Sequence, residues 1–250
     1  MNPENILAKV GGSVLSKEKN VKNILSQFQN LQDQELIKHI ILICGGGAYA
    51  NFIRKADKQL SLGDDLSHWL AISAMDYNSY QTFLLSKKLG FQNTRLIRDL
   101  ENLRKSLVMD EKKILFFTCY EYLIKMDELP HSWQVTSDSI AYYLSVKLGF
   151  NACYLIKNVD GIFLKGQKNP VKRLTVNELE HLKQQDQLMN LGSSLEASKR
   201  SKPIDFYLLD LIQKYDFPCY LINGSWDKKR ILEFFDPLFE EKVFTSVQRT

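Results

Sequence analysis

Residues 6–15, "ILAKVGGSVL", and residues 39–50, "HIILICGGGAYA", decide how this chain reads. Each is a short apolar run that breaks at adjacent glycines and leads into a segment of helical composition. A strand of a parallel sheet covered on both faces is continuously apolar rather than alternating, so both runs are predicted as strands of such a sheet. Two features then need a chemical reason. The chain twice ends a buried strand in bare backbone, and Lys9 stands just ahead of the first glycine pair. A lysine closing a buried strand is costly unless it meets an anion.

The bulk numbers narrow the classes. The 250 residues are 44% hydrophobic and 25% charged, ordinary for a folded protein able to bury a substantial core. The 33 basic and 29 acidic residues are interspersed and leave a net charge of +4. No basic run alternates with aromatics, so no nucleic-acid partner is expected. No apolar stretch approaches the ~20 residues of a membrane span, and "MNPENILAKV" lacks a basic segment followed by an apolar one. No membrane partner is expected, and a cytoplasmic protein is. Cys44, Cys119, Cys153 and Cys219 form no C-x-x-C pair, as in reduced proteins. The histidines and cysteines show no zinc spacing, and no protein-bound metal is proposed.

Along the chain, short apolar runs alternate with amphipathic segments. "KILFFTC" (113–119), "ACYLIK" (152–157) and "PCYLING" (218–224) read as further strands. A helix is predicted near 21–31, another in "AYANFIRKADKQL", and a long one over 66–89 from the spacing of Leu66, Leu70, Ser73, Tyr77, Tyr80 and Leu84. A helix starting near Thr136 carries Ile140, Leu144 and Leu148 on one face and stops at Gly149. "LTVNELEHLKQQ" opens with a capping box from Thr175 to Glu178. Pro203 is predicted to begin the helix "IDFYLLDLIQKY", and 184–201 to be a mobile surface loop. Strands interleaved with helices predict one α/β domain over 1–250, a three-layer αβα sandwich around a mostly parallel sheet.

Glycines after a strand let an anion approach backbone N–H groups, because no Cβ intervenes. Gly11–Gly12 and Gly45–Gly46–Gly47 both fit, although strand-end glycines are also ordinary turn residues. Gly45-x-Gly47-x-x-Ala50 formally matches a dinucleotide fingerprint, with Asp64 or Asp65 as the ribose acid. That dehydrogenase reading leaves Lys9 and the first glycine pair without a role. The Walker A pattern does not occur.

Four motifs in order, "KVGGSVL" (9–15), "ILICGGGAYA" (41–50), "HSWQVTSDSIAYYLSVKLG" (131–149) and "CYLIKNVDGIF" (153–163), resemble the amino acid kinase family. The tail "YLINGSWDKKRILEFF" follows the resemblance more loosely. It implies an ATP-dependent small-molecule kinase with Mg2+, an acceptor side over about 1–130 and a nucleotide side over about 131–250. It implies that Lys9 contacts the transferring phosphate, that Gly11, Gly12 and Ser13 donate N–H groups to it, and that Asp138 organises the catalytic lysines. Thr136, Ser137, Lys157, Asp160, Gly161, Phe163 and Lys165 are then assigned to the nucleotide. Read without the family, Thr136 to Asp138 also suit a helix cap, and Asp160–Gly161 an ordinary turn. Lys202, with Lys199 behind it, is the candidate second phosphate-binding lysine. The family's Asp-Pro after "DGIF" is replaced by "LKGQKNP".

Acceptor binding is expected from Gly45, Gly46, Gly47, Arg54, Asp64, Asp65 and His68. Arg54 could equally be a solvated helix charge, and the two acids could serve only the helix dipole. "DDLSHWLAISAMD" (64–76) and "HSWQVTSDSIA" look most like an aspartokinase-like branch. That likeness implies a phosphomonoester acceptor such as [5-(aminomethyl)furan-3-yl]methyl phosphate, the amine pairing with one of the acids. Amino-acid carboxylates, UMP and isopentenyl phosphate are the other acceptors. The family also implies a homo-oligomer. No appended regulatory module is expected. A non-catalytic nucleotide-binding sensor or storage protein is the rival from a different class.

Overall fold

The computed structural model describes residues 4–189 and 204–250. In chain order, β1 (Asn5–Val10) leads through α1 (Gly12–Leu15) and α2 (Glu18–Asp33) to β2 (His39–Cys44). Next come α3 (Gly47–Leu60), α4 (Asp64–Lys88), β3 (Thr94–Ile97), α5 (Leu100–Leu107), β4 (Lys113–Phe117) and α6 (Tyr120–Met126). Then follow α7 (Ser137–Lys147), β5 (Cys153–Lys157), β6 (Arg173–Thr175) and α8 (Val176–Gln184). The chain closes with α9 (Tyr207–Tyr215), β7 (Cys219–Asn223), α10 (Arg230–Phe235) and β8 (Thr245–Gln248). The strands form one eight-stranded sheet in the order β3-β4-β2-β1-β5-β7-β8-β6. Every pairing is parallel except β7 with β8.

Alternation along the strands feeds two cores, one on each face. Ile6, Ala8 and Val10 of β1 pack with α2 and α10, while Leu7 packs with α7 and α9. Lys9 shares the face of Leu7 and is aimed at α7. Sequence order turns back at β1: the chain first builds outward through β2, then returns to set β5 on its other side. Ligands of such sheets bind beyond the carboxyl ends of the strands at this reversal.

The long helix forms as predicted, but its apolar stripe faces away from the sheet. Leu66, Leu70, Tyr77, Tyr80 and Leu84 are exposed, whereas Ser67, Ala74, Ser79, Thr82 and Ser86 are buried. Small residues let the helix lie close against its neighbours, which leaves the bulky side chains outward. The helix of "IDFYLLDLIQKY" begins at Tyr207, later than predicted, because the Asp205 carboxylate accepts from the backbone N–H of Leu208 at 2.8 Å and ends the preceding segment. Of the predicted loop, 185–189 is tied down: Met189 N–H donates to the Phe163 carbonyl at 2.8 Å, and Lys165 pairs with Asp186. Lys199, Lys202 and the remainder of that loop lie outside the described residues.

The two glycine loops meet. Gly11 N–H donates to the Ile156 carbonyl of β5 at 2.9 Å, and Gly45 N–H to the Val10 carbonyl of β1 at 2.8 Å. A Cβ on Gly12 would fall 2.3 Å from the Gly47 Cα and 2.6 Å from its nitrogen. Gly47 itself has φ +54°, a left-handed conformation open to glycine. Gly12→Ala therefore forces backbone apart. It is expected to cost about 1–3 kcal/mol, a Tm loss of roughly 2–12 °C, while Ser13→Ala next to it leaves thermal unfolding unchanged.

Candidate active site

Lys9 ends its reach on a carboxylate. Its Nζ lies 2.8 Å from Asp138 Oδ1, and Lys157 Nζ lies 2.5 Å from Asp138 Oδ2. Lys9 and Asp138 are 4% and 3% exposed, so solvent screens little of this interaction. Burial alone would raise the Asp138 carboxyl, but the Lys157 and Lys9 ammonium groups outweigh it and hold the group at about 2. Burial lowers Lys9 from its ordinary range, Asp138 opposes that, and Lys157 adds to it. Asp138 is placed by the first turn of α7, where the Thr136 hydroxyl accepts from its N–H at 3.3 Å.

Asp205, which the sequence reading missed, holds this helix start. Its Oδ2 accepts from Thr136 N–H at 3.2 Å, the Thr136 hydroxyl at 2.5 Å and Ser139 N–H at 3.1 Å. Its Oδ1 takes the Ser139 hydroxyl and Leu208 N–H. One carboxylate thereby joins the N-termini of α7 and α9. Burial pushes its pKa up, and Asp138 pushes it further.

The second glycine loop closes on the same space. A Cβ on Gly45 would stand 3.1 Å from each of Lys9 Cε, Gly12 N and Ser137 Oγ, and Asn78 Nδ2 fixes the Gly45 carbonyl at 2.6 Å. Between the loops, α4 and the start of α7 lies a cavity of about 210 Å³. Gly12, Ser13, Gly45, Gly46, Gly47, Thr136 and Ser137 all line it, as do Arg54 and His68. Its walls come from both halves of the chain. Its apolar side is Ile72, Met75, Val135 and Ile140.

Arg54 is held by a device spread across the sequence. Its guanidinium carbon sits 4.5 Å from the centre of the Trp133 ring, and Trp133 Nε1 donates to Asp57 Oδ2 at 2.7 Å. Arg54 Nε is buried without a hydrogen-bond partner among the described residues, and partial burial lowers its pKa. Trp133 and Asn51 line the cavity as well. Neither was named as a site residue from the sequence, although Trp133 lies within the motif at 131–149.

Asp64 and Asp65 do not line the cavity. Asp65 accepts from His131 Nδ1 at 2.7 Å, and Asp127 takes the other ring nitrogen at 2.7 Å. The His131 imidazole thus engages Asp65, one of the two acids expected to meet an acceptor amine. His68 stacks on His131, ring centres 4.5 Å apart. On the other side of β1, Asp160 accepts from Asn223 Nδ2 at 3.1 Å and Arg230 Nε at 3.3 Å. A Cβ on Gly161 would meet the Thr245 hydroxyl at 2.4 Å. Phe163 and Lys165 follow, away from the cavity lining.

The stacked histidines titrate in opposite directions. Burial, with His131 beside it, pushes His68 down to about 4, whereas hydrogen bonds to Asp65 and Asp127 raise His131. A depressed folded pKa means that the unfolded chain takes up the proton first. His68 therefore erodes stability as pH falls from about 6.5 towards 4. The difference in unfolding free energy between the wild type and His68→Gln should change over that window by up to roughly 3 kcal/mol. Denaturant titrations at pH 7, 5.5 and 4.5 measure it, and a pH-independent difference would refute the assignment.

Comparison with known proteins shows the family. The model of the amino acid kinase family matches residues 5–223. The chain is 31% identical over 242 residues to the [5-(aminomethyl)furan-3-yl]methyl phosphate kinase of Methanocaldococcus jannaschii, spanning 96% of each. In fold it is similar to the UMP kinase of Bacillus anthracis, with TM-score 0.67, 15% identity and 100% and 97% of the two chains covered. It is also similar to the uridylate kinase of Archaeoglobus fulgidus, with TM-score 0.63, 17% identity and 97% and 99% covered. The aspartate kinase of Synechocystis gives TM-score 0.62 at 12% identity, over 98% of this chain and 40% of that one. With the family model spanning most of its length, the chain belongs to the amino acid kinase family and is a phosphotransferase.

Proposed function

We propose that this enzyme transfers the γ-phosphoryl group of ATP to a small phosphomonoester held in the cavity between the two glycine loops. The carrying observation is the contact of Gly12 with Gly47, with Lys9 alongside, which leaves one shared space for donor and acceptor. The first loop fits a phosphate cradle because any Cβ there meets backbone. Its helix α1 has only four residues, so the N–H groups of Gly12 and Ser13 with Lys9 do the binding, with little macrodipole; the N–H of Gly11, expected from the sequence to join them, donates to the Ile156 carbonyl instead. Lys9 faces the phosphoryl group in transfer, Asp138 fixes Lys9, and Asp160, Gly161, Phe163 and Lys165 border the nucleotide in the C-terminal half. Among the described residues no three His, Cys, Asp or Glu side chains gather as a metal cage. Mg2+ would be held chiefly by nucleotide phosphates, its usual mode, and would supply charge neutralisation there.

Arg54 supplies the acceptor's counter-charge, its fork suited to a phosphate. The whole-length relative favours [5-(aminomethyl)furan-3-yl]methyl phosphate, whose flat ring suits the slot between Trp133 and the apolar wall. A second reading, an uncharged-tail phosphomonoester such as isopentenyl phosphate, is favoured by a lining that holds no carboxylate among the described residues. Mg-ATP turnover with these two, UMP and aspartate separates the readings. Lys9→Ala should lower kcat about 10²–10³-fold, and a wild type that binds ATP but phosphorylates none of the four would overturn the proposal.

The exposed stripe of α4, with Tyr49, Phe52 and Leu60 of α3 beside it, fits a second copy of the chain. The first turn of α4 is acidic and its last turn basic, so two copies packed antiparallel about a two-fold axis match charge as well as apolar surface. Sedimentation should show a dimer that Tyr77→Asp with Leu84→Asp converts to monomer. A wild-type monomer at 100 μM would rule it out.

A further inference from the structure

Lys157 closes β5 beside the first glycine loop. The β1–β5 register pairs Lys9 with Leu155 and Val10 with Ile156, and Gly11 N–H bonds to the Ile156 carbonyl, so Lys157 stands level with Gly11. A Cβ on Gly11 would lie 3.8 Å from Lys157 Cδ and 3.8 Å from Lys9 Nζ. The two lysines therefore come alongside the same bare Cα from neighbouring strands and bind opposite oxygens of one carboxylate. We infer that Lys157 is a second catalytic lysine, bearing with Lys9 on the phosphoryl group in flight rather than on the body of the nucleotide. This rests on the kinase reading above.

Charge accounting supports the assignment. Lys9 alone would neutralise Asp138. Lys157, its side chain 14% exposed, adds a cation to a pair that is already balanced and lowers the Lys9 pKa. A surplus buried cation is a cost to folding when no anion is present. Asp205 also acts on Lys9 through space, but it directs both oxygens to five hydrogen bonds from Thr136, Ser139 and Leu208, so among the described residues the two lysines share Asp138 as their bonded carboxylate. The surplus is offset when a polyanion enters. In the transfer, a phosphate oxygen of the acceptor forms a bond to the γ-phosphorus with its own lone pair. The bond from that phosphorus to the bridging oxygen breaks, and its electron pair leaves on ADP. No proton need move, so the task of Lys157 is charge stabilisation of the transferring oxygens.

The full-length chain with Lys157→Met and Lys157→Arg tests this. Lys157→Met is expected to lower kcat at least about 10²-fold while leaving the calorimetric Kd for Mg-ATP within about threefold. It should also abolish tight binding of Mg-ADP with aluminium fluoride in the presence of acceptor. Lys157→Arg should recover part of both. The Met variant should still unfold cooperatively, because Asp138 keeps Lys9 as a bonded partner. A kcat retained within a few-fold overturns the inference, as does weakened Mg-ATP binding with saturated kcat intact, which would mean nucleotide grip only. A fallen Tm with undiminished aluminium fluoride binding assigns Lys157 a structural part instead. A wild type that turns over no acceptor overturns the kinase reading and this inference together, whereas an active wild type matched by Lys157→Met overturns this inference alone.

Discussion

One carboxylate, Asp138, makes it possible to bury two lysines at the centre of the sheet. Each ammonium stripped of water carries a penalty of several kcal/mol, and removing one partner of such a pair typically costs about 3–5 kcal/mol. Asp138 meets both ammonium groups from the first turn of α7, where the positive end of the helix also favours a negative charge. Placing Asp138 thus requires placing α7, and α7 is fixed from outside by Asp205, which caps it together with α9. Two buried acids with different duties result. Asp205 is satisfied by hydroxyls and N–H groups, and Asp138 by cations.

The sheet explains why this arrangement stands where it does. In parallel strands the carboxyl ends share one edge, so loops that leave β1, β2 and β5 emerge together. Reversal of the chain order at β1 places the first loop between the second loop on one side and Lys157 on the other. Close contact is then a matter of side-chain size. Gly12 and Gly47 touch through backbone, and the gap left beside them is filled by neither loop. The same logic holds at Gly161, where Thr245 of β8 fills the position a Cβ would need.

What the sequence disclosed divides along the distance between partners. Strands β1, β2, β4, β5 and β7 were legible because burial on both faces writes itself as an unbroken apolar run. The short β3, β6 and β8 at or near the sheet edges carry no such run. Lys9 and Asp138 were legible because their motifs are local. Arg54 was named, but its support was not: Asp57 is three residues away while Trp133 is 79 further along, and only the fold joins them. Asp205 carried no local sign, since its partners Thr136 and Ser139 belong to another helix. Periodicity found α4 but not the direction in which it faces, because spacing defines a stripe and says nothing of what the stripe meets. Its buried side combines Ile72 and Met75 with small residues such as Ser79 and Ser86, which hydrophobic periodicity passes over.

The position of the cations finally accounts for the close approach of the loops. In the proposed transfer, a phosphate acceptor and the γ-phosphate of ATP would repel one another, and that repulsion would grow as water is excluded from between them. A site that joins them has to carry more positive charge than its own acids neutralise, placed between the two anions and on the far side of the acceptor. Lys9 and Lys157 share one bonded acid, Asp138, and Arg54 lines the cavity with its Nε unpartnered among the described residues. Asp65 and Asp127 are kept from this balance by His131, which binds both. A carboxylate in the lining would offset that positive charge, and among the described residues the lining holds none, its wall of Ile72, Met75, Val135 and Ile140 being neutral.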